Sequence, residues 1–268
     1  MDRVGPEVQR TAAFFDLDKT IIAKSSTLAF GRSFYQGGLI NRRAVLKGTY
    51  AQFVYLLGGA DENQMDRMRD YLKRLCSGWD VEQVRGIVTE AIVELIDPLI
   101  YAEAAALIEE HQSAGRDVVI VSSSGEEVVG PIGEMVGADH VIATRMVVAD
   151  GCYTGDIAFY AYGPGKAEAI RELAESHGYD LAACYAYSDS MTDLPMLEAV
   201  GNPTTVNPDR ALRREAAARG WPVLEFRRPV SLRNRVSPPG PILVGALATG
   251  AIAGLGLAWY STRRRTRT

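Results

Sequence analysis

A chain of 268 residues, 47% apolar and 23% charged, has ordinary globular composition and is long enough for one large domain or two modest ones. A net charge of −4, with no interleaving of basic and aromatic residues in the body of the chain, gives no reason to expect a nucleic-acid partner. Cys76, Cys152 and Cys184 are scattered without metal-ligand spacing and suit a reducing compartment, and the polar start MDRVGPEVQR offers no secretory signal.

The chain is organised around AAFFDLDKTII, residues 12–22. Its apolar opening shows none of the alternation of a half-wet strand, which predicts a buried strand of a parallel sheet. Chemistry in such sheets sits past the carboxyl ends of the strands, where Asp16 and Asp18 would stand. Two carboxylates held together there repel each other and call for a shared cation, for which Mg²⁺ is the natural choice. A plain turn with solvated aspartates, one of them capping the next helix, is the competing reading.

Residues 25–98 contain no convincing alternating segment. Apolar residues recur at helical spacing over 28–57, with a break at Gly37-Gly38, and again over 62–75 and 81–96. Such an insert between the first strand and the rest of the sheet predicts a helical cap over a site, or else a purely structural subdomain. Asp97-Pro98 ends the pattern, and an Ala-rich helix is expected over 99–112.

A second buried strand, DVVIV, ends in Ser122-Ser123-Ser124-Gly125. That turn has hydroxyls and N–H groups able to face an anion, although serines in this position more often cap helices. Residues 141–157 alternate around Ala149-Asp150-Gly151, a hairpin signal. Gly163-Pro164-Gly165-Lys166 opens the next helix, where a lysine is electrostatically out of place unless an anion lies nearby. The strand at 182–187 ends in Ser188-Asp189-Ser190-Met191-Thr192-Asp193. Asp193 can be explained as a helix cap, whereas Asp189 has no such excuse. His111, His140 and His177 lack partner spacing and are expected to face solvent.

Residues 242–260 carry no charge, with SPPGP before them and Ser-Thr-Arg-Arg-Arg after. Their length is near the lower limit for a bilayer span, and Trp259 and Tyr260 fall where interfacial aromatics belong. Gly250 and Gly254 form a G-x-x-x-G that would let two such helices pack as a homodimer. The expectation is a single-pass transmembrane helix tethering a cytoplasmic catalytic domain to the cell membrane.

In order and chemistry these strand ends resemble the haloacid dehalogenase-like phosphatases. FFDLDKT matches the first motif, D-x-D-x-T, and VIVSSS the second. Lys166 in GPGK matches the third, and YSDSMTD resembles the fourth. The insert between the first two motifs is similar to that of the phosphoserine phosphatase-like branch, subfamily IB. Ser188 departs from the Gly usual before the fourth-motif Asp. AKSST, with Ser25 near the expected place, lacks the Glu that holds the amine of phosphoserine.

The resemblance implies an α/β fold: a Rossmann-like parallel sheet core (1–24 and 99–230) with an inserted helical, C1-type cap (25–98). A linker (231–241), the transmembrane helix (242–260) and a basic tail (261–268) complete the expected organisation. It implies Asp16 as nucleophile, Asp18 as acid and base, and Ser122, Ser123 and Lys166 as phosphate-binding. Mg²⁺ would be held by Asp16, Asp189 and the Asp18 carbonyl, with Asp193 and Thr20 behind them. The expected activity is hydrolysis of a small phosphomonoester through an aspartyl-phosphate, the tail suggesting a lipid-linked substrate. A phosphotransferase on the same residues, or a non-catalytic scaffold, are the alternatives.

Overall fold

The structure is a computed structural model that describes residues 10–40, 70 and 73–232. The chain divides into Met1–Val230 and Ser231–Thr268, and the fold below is that of the first unit. Its strands are β1 (Ala12–Phe15), β2 (Asp117–Gly125), β3 (His140–Ala149), β4 (Cys152–Phe159), β5 (Tyr185–Ser188), β6 (Asn202–Val206) and β7 (Val223–Leu224). They form one sheet in the order β4-β3-β2-β1-β5-β6-β7, parallel throughout except for the β3–β4 hairpin.

The expected first strand is therefore central. All four residues of β1 are buried, as an uninterrupted apolar run requires when both faces of a parallel sheet are covered. Phe14, Val119, Val121 and Ala186 share a core with Ile170, Ala174, Met196, Leu197 and Leu212. Full burial of a side chain such as Ile170 contributes about 1.5–3 kcal/mol. The hairpin turns on Asp150 and Gly151, both with positive φ (49° and 77°), as a two-residue turn of the primed type needs.

The described helices are α1 (Ser26–Ala29), α2 (Gly31–Gln36), α3 (Val81–Leu95), α4 (Ala102–Ser113), α5 (Glu126–Val136), α6 (Pro164–His177), α7 (Leu194–Glu198) and α8 (Arg210–Arg219). The first three fall in the insert, which is the helical cap of a Rossmann-like core, and α3 packs against α5. Asp80 caps α3 by accepting from Gln83 N. The two core segments that flank the insert are tied together where the chain leaves and re-enters the core, with Ala23 N donating to Leu99 O (2.8 Å) and Tyr101 N to Ile21 O (2.9 Å). A second set of bonds ties Gly78 N to Tyr153 O (2.8 Å) and Val81 N to Gly151 O (3.0 Å) of the hairpin.

Several expectations are corrected. The helix foreseen from residue 99 starts at Ala102, because Ile100 is extended and bridges Ile22 while Tyr101 bridges Pro229. The serine turn continues β2 in extended form to Gly125, and no side chain caps α5. His111 does not face solvent. It is buried, with Nε2 2.8 Å from the Tyr187 hydroxyl, while Arg116 Nε donates to its Nδ1 (2.7 Å).

The transmembrane part of the expected fold is also withdrawn. Among the described residues no helix is long and apolar enough to cross a membrane. The longest, α3, has 15 residues and carries Glu82, Arg85, Glu90 and Glu94, where a span needs about 20 mainly apolar residues. Residues 242–260, with Gly250 and Gly254, lie outside the described residues. The tether, the homodimer contact through those glycines, the cell-membrane location with its cytoplasmic side and the lipid-linked substrate all rested on that span, and they go with it.

Candidate active site

Parallel pairing brings the motif ends to one level. Phe15 pairs with Ile120 on one side and Tyr187 on the other, so Asp16 follows directly between Val121-Ser122 and Ser188-Asp189. Asp16 N donates to Tyr187 O (2.9 Å), which fixes the strand end. The chain then curls on the Leu17 carbonyl, which accepts from Ile21 N (2.9 Å) and Ile22 N (3.1 Å). Lys19 takes a positive φ of 61° in that curl.

At the centre is Lys166. Its Nζ donates to Asp16 Oδ1 at 2.7 Å and to Asp193 Oδ2 at 2.8 Å, with all three residues buried. The GPGK sequence builds this position. Gly163 has φ 51°, and a Cβ on Gly165 would lie 2.5 Å from the Tyr160 carbonyl oxygen, so only glycine lets the helix start come so close. Asp193 precedes α7 but makes no side-chain cap; its carboxylate accepts from Lys166 and from the Ser188 hydroxyl (2.7 Å). The serine that departs from the family pattern thus hydrogen-bonds a site acid. Asp189 has Lys19 Nζ 3.6 Å away, and its carbonyl accepts from Asp209 N (2.7 Å).

The charges are strained. Burial pushes Asp16 well above the ordinary carboxylate range, opposed by Lys166 and reinforced by Asp193 and Asp189. Burial likewise pushes Asp189 up to about 7, with Lys19 opposing and Asp193 adding. For Lys166 burial works against the charge, yet Asp16 and Asp193 outweigh it and raise its pKa. Asp18 is half-buried, and desolvation raises its pKa although the Ser26 N–H, at 2.8 Å from Oδ1, opposes this. A carboxyl shifted upward in this way is suited to carry a proton, a balance the sequence leaves open.

Among the described residues no three His, Cys, Asp or Glu side chains gather as a metal cluster. The donor set here is smaller, Asp16 and Asp189 with the Asp18 carbonyl. It fits Mg²⁺, a hard cation that takes oxygen donors and keeps several waters. The excess of buried carboxylate charge over Lys166 is the structural reason such a cation is favoured. Thr20, in the curl that follows Asp18, has its Oγ1 buried without a hydrogen-bond partner.

Ser122 is buried in β2, three residues before its end and where its pairing with β3 becomes irregular, and its Oγ accepts from Ser124 N (3.2 Å). Ser123 is exposed, with its carbonyl held by Thr144 Oγ1 (2.8 Å). Thr144, Ser26 and Asp209 support the site without having been singled out in the sequence. Asp209 N–H holds the Asp189 carbonyl while its carboxylate accepts from Met191 N (2.8 Å). An Asn-Pro-Asp helix start signals a cap, but nothing local in it points to residue 189.

A family model for haloacid dehalogenase-like hydrolases matches residues 13–198. The chain is similar to a Streptomyces azureus protein named for inhibition of morphological differentiation, at 69% identity over 96% of this chain and 95% of that one. It is also similar to a probable phosphatase of Mycobacterium tuberculosis, at 62% identity over 96% of this chain and 90% of that one. The fold matches that of a phospho-aspartyl intermediate analogue of phosphoserine phosphatase, with a TM-score of 0.60 and 20% identity over 84% of this chain and 97% of that one. The chain belongs to the haloacid dehalogenase-like hydrolases and is a phosphatase-type enzyme of that family, with a phosphoserine phosphatase-like fold.

Proposed function

We propose that the chain is a Mg²⁺-dependent phosphomonoester hydrolase whose phosphoryl group passes through Asp16. The supporting observation is the buried lysine bridge, Lys166 between Asp16 and Asp193, at the ends of β1 and β5 with Asp189 alongside. A nucleophilic carboxylate approaching an anionic phosphate is repelled unless fixed positive charge lies between them, and Lys166 supplies it. Asp16, Asp189 and the Asp18 carbonyl would hold Mg²⁺, which when bound would neutralise charge on the nucleophile and phosphoryl oxygens.

In the first displacement an Asp16 oxygen bonds to phosphorus as the bond to the leaving oxygen breaks. Asp18 gives its proton to that oxygen, so an alcohol departs. In the second, water attacks phosphorus and passes a proton to the Asp18 carboxylate, releasing phosphate and restoring Asp16. Ser122 and the Ser123 N–H would receive the phosphoryl oxygens. The segment 25–98 is proposed as the cap that admits the alcohol portion, with 1–24 and 99–230 as core. Ser25, where a Glu would hold the amine of phosphoserine, argues for a different alcohol.

The test is phosphate release from p-nitrophenyl phosphate with Mg²⁺ or EDTA, beside Asp16→Asn. Turnover is expected with Mg²⁺ only and is abolished in the variant. Undiminished activity of Asp16→Asn would overturn the reading.

A further inference from the structure

Ser26, the first residue of α1, joins the turn at Asp18 to the end of β2, bonding across 98 positions to Ser124. Its N–H donates to Asp18 Oδ1 at 2.8 Å, and its hydroxyl lies 2.9 Å from that of Ser124 at the end of β2. Both serines are buried, Ser26 completely. Ser124 N in turn donates to Ser122 Oγ at 3.2 Å. A continuous hydrogen-bonded path therefore runs from the carboxyl of Asp18, through the first turn of the cap, to the serine at the phosphate-facing strand end.

The Asp18 carboxyl sits on two rotatable bonds, and its aim depends on where the Ser26 N–H points. That N–H belongs to a four-residue helix, too short to hold its own position. The hydroxyl contact with Ser124 anchors it to the sheet. Resting on the activity proposed above, we propose that Ser26 is a positioning residue: its hydroxyl fixes the first turn of the cap against β2, and so aims the Asp18 carboxyl at the leaving oxygen.

This role makes a distinction that mere structural support would not. Proton donation by Asp18 matters when the departing oxygen is strongly basic and matters little for p-nitrophenolate, which leaves unprotonated. In the full-length chain with Mg²⁺, kcat/KM is measured for p-nitrophenyl, phenyl and p-methoxyphenyl phosphate. Ser26→Ala is expected to lose about 10–100-fold on the latter two and less than about 3-fold on the first, while Ser26→Thr recovers most of the loss. Ser124→Ala, which cuts the same link from the β2 side, is expected to repeat the pattern and serves if Ser26→Ala does not fold. An equal fall across the three esters, or none, would overturn the positioning role while leaving the hydrolase reading intact. Wild-type turnover that ignores EDTA and survives Asp16→Asn would instead overturn the hydrolase reading, and the role of Ser26 with it.

Discussion

Replacing Lys166 by methionine leaves Asp16 and Asp193 as neighbouring buried carboxylates with no cation between them. Removing one partner of a buried charge network costs about 3–5 kcal/mol at neutral pH, because the remaining charges stay desolvated. Lys166→Met is therefore expected to lower the urea midpoint sharply and to cut turnover by at least about 100-fold. Ser188→Ala removes a 2.7 Å hydrogen bond to the Asp193 carboxylate, worth about 1.5–3 kcal/mol in a buried setting. Urea melts of the two variants should rank in that order. Asp16, Asp18, Lys166, Asp189 and Asp193 are singled out in the sequence by the resemblance to four motifs, since strand-end position alone leaves Asp193 readable as a helix cap. Ser188 was visible only as a departure from a pattern. Its bond to Asp193 depends on the turn between them, which no local periodicity encodes.

Helix α6 delivers Lys166 only because its first turn presses against Tyr160. Gly165→Ala places a methyl 2.5 Å from the Tyr160 carbonyl oxygen, and the backbone must yield. Strain of this kind costs about 1–3 kcal/mol, and the retreat of the helix start is expected to lower kcat more than it raises KM. Steady-state kinetics beside a thermal melt would check both. At this scale the sequence was informative where the local pattern is strong, as in the unbroken apolar run of β1, the alternation of the β3–β4 hairpin and the helical spacing of α3. It failed at the start of α4, where Ile100 and Tyr101 are extended through their partners Ile22 and Pro229, 78 and 128 positions away. Such partners lie beyond any window of local pattern. The same failure hid Ser26, whose bonds run to Asp18 and Ser124 rather than along its own helix.

Across the whole molecule, acid and base groups pull stability in opposite directions over one pH range. Burial, reinforced by Arg116, lowers His111 from 6.5 to about 4, so the native state resists a proton that the unfolded chain accepts. Stability from this group is present above about 6.5 and is lost as pH falls towards 4, by about 3 kcal/mol. Asp189 is raised from 3.8 to about 7, so its contribution is present below about 3.8 and is lost as pH rises through 7, by about 4 kcal/mol. Asp16 acts in the same direction as Asp189. In EDTA, Tm is expected to vary less with pH between 4 and 7 for the parent chain than for either variant. Asp189→Asn should expose the acid lability of His111, and His111→Gln should expose the alkaline lability of the carboxylates. Millimolar Mg²⁺ should act as Asp189→Asn does, by favouring the charged carboxylate. None of this balance was legible in sequence, where His111 reads as a surface residue; its burial follows from packing against Phe15, Tyr185 and Tyr187 on strands remote from α4.

The central place of β1 also fixes when the site around Asp16 can form. Its neighbours pair Ala12 with Asp117 and Ala13 with Tyr185, so the strand made first waits for partners made much later. At a synthesis rate of about 5–20 residues per second, that wait is roughly 5–20 s for β2 and roughly 9–35 s for β5. Throughout it, AAFF is an apolar segment with both edges unpaired, the kind of stretch that invites wrong partners on the ribosome. The aspartates and lysine that follow in DLDK flank that segment with charge, and on general grounds such flanking charges are expected to limit wrong pairing during synthesis.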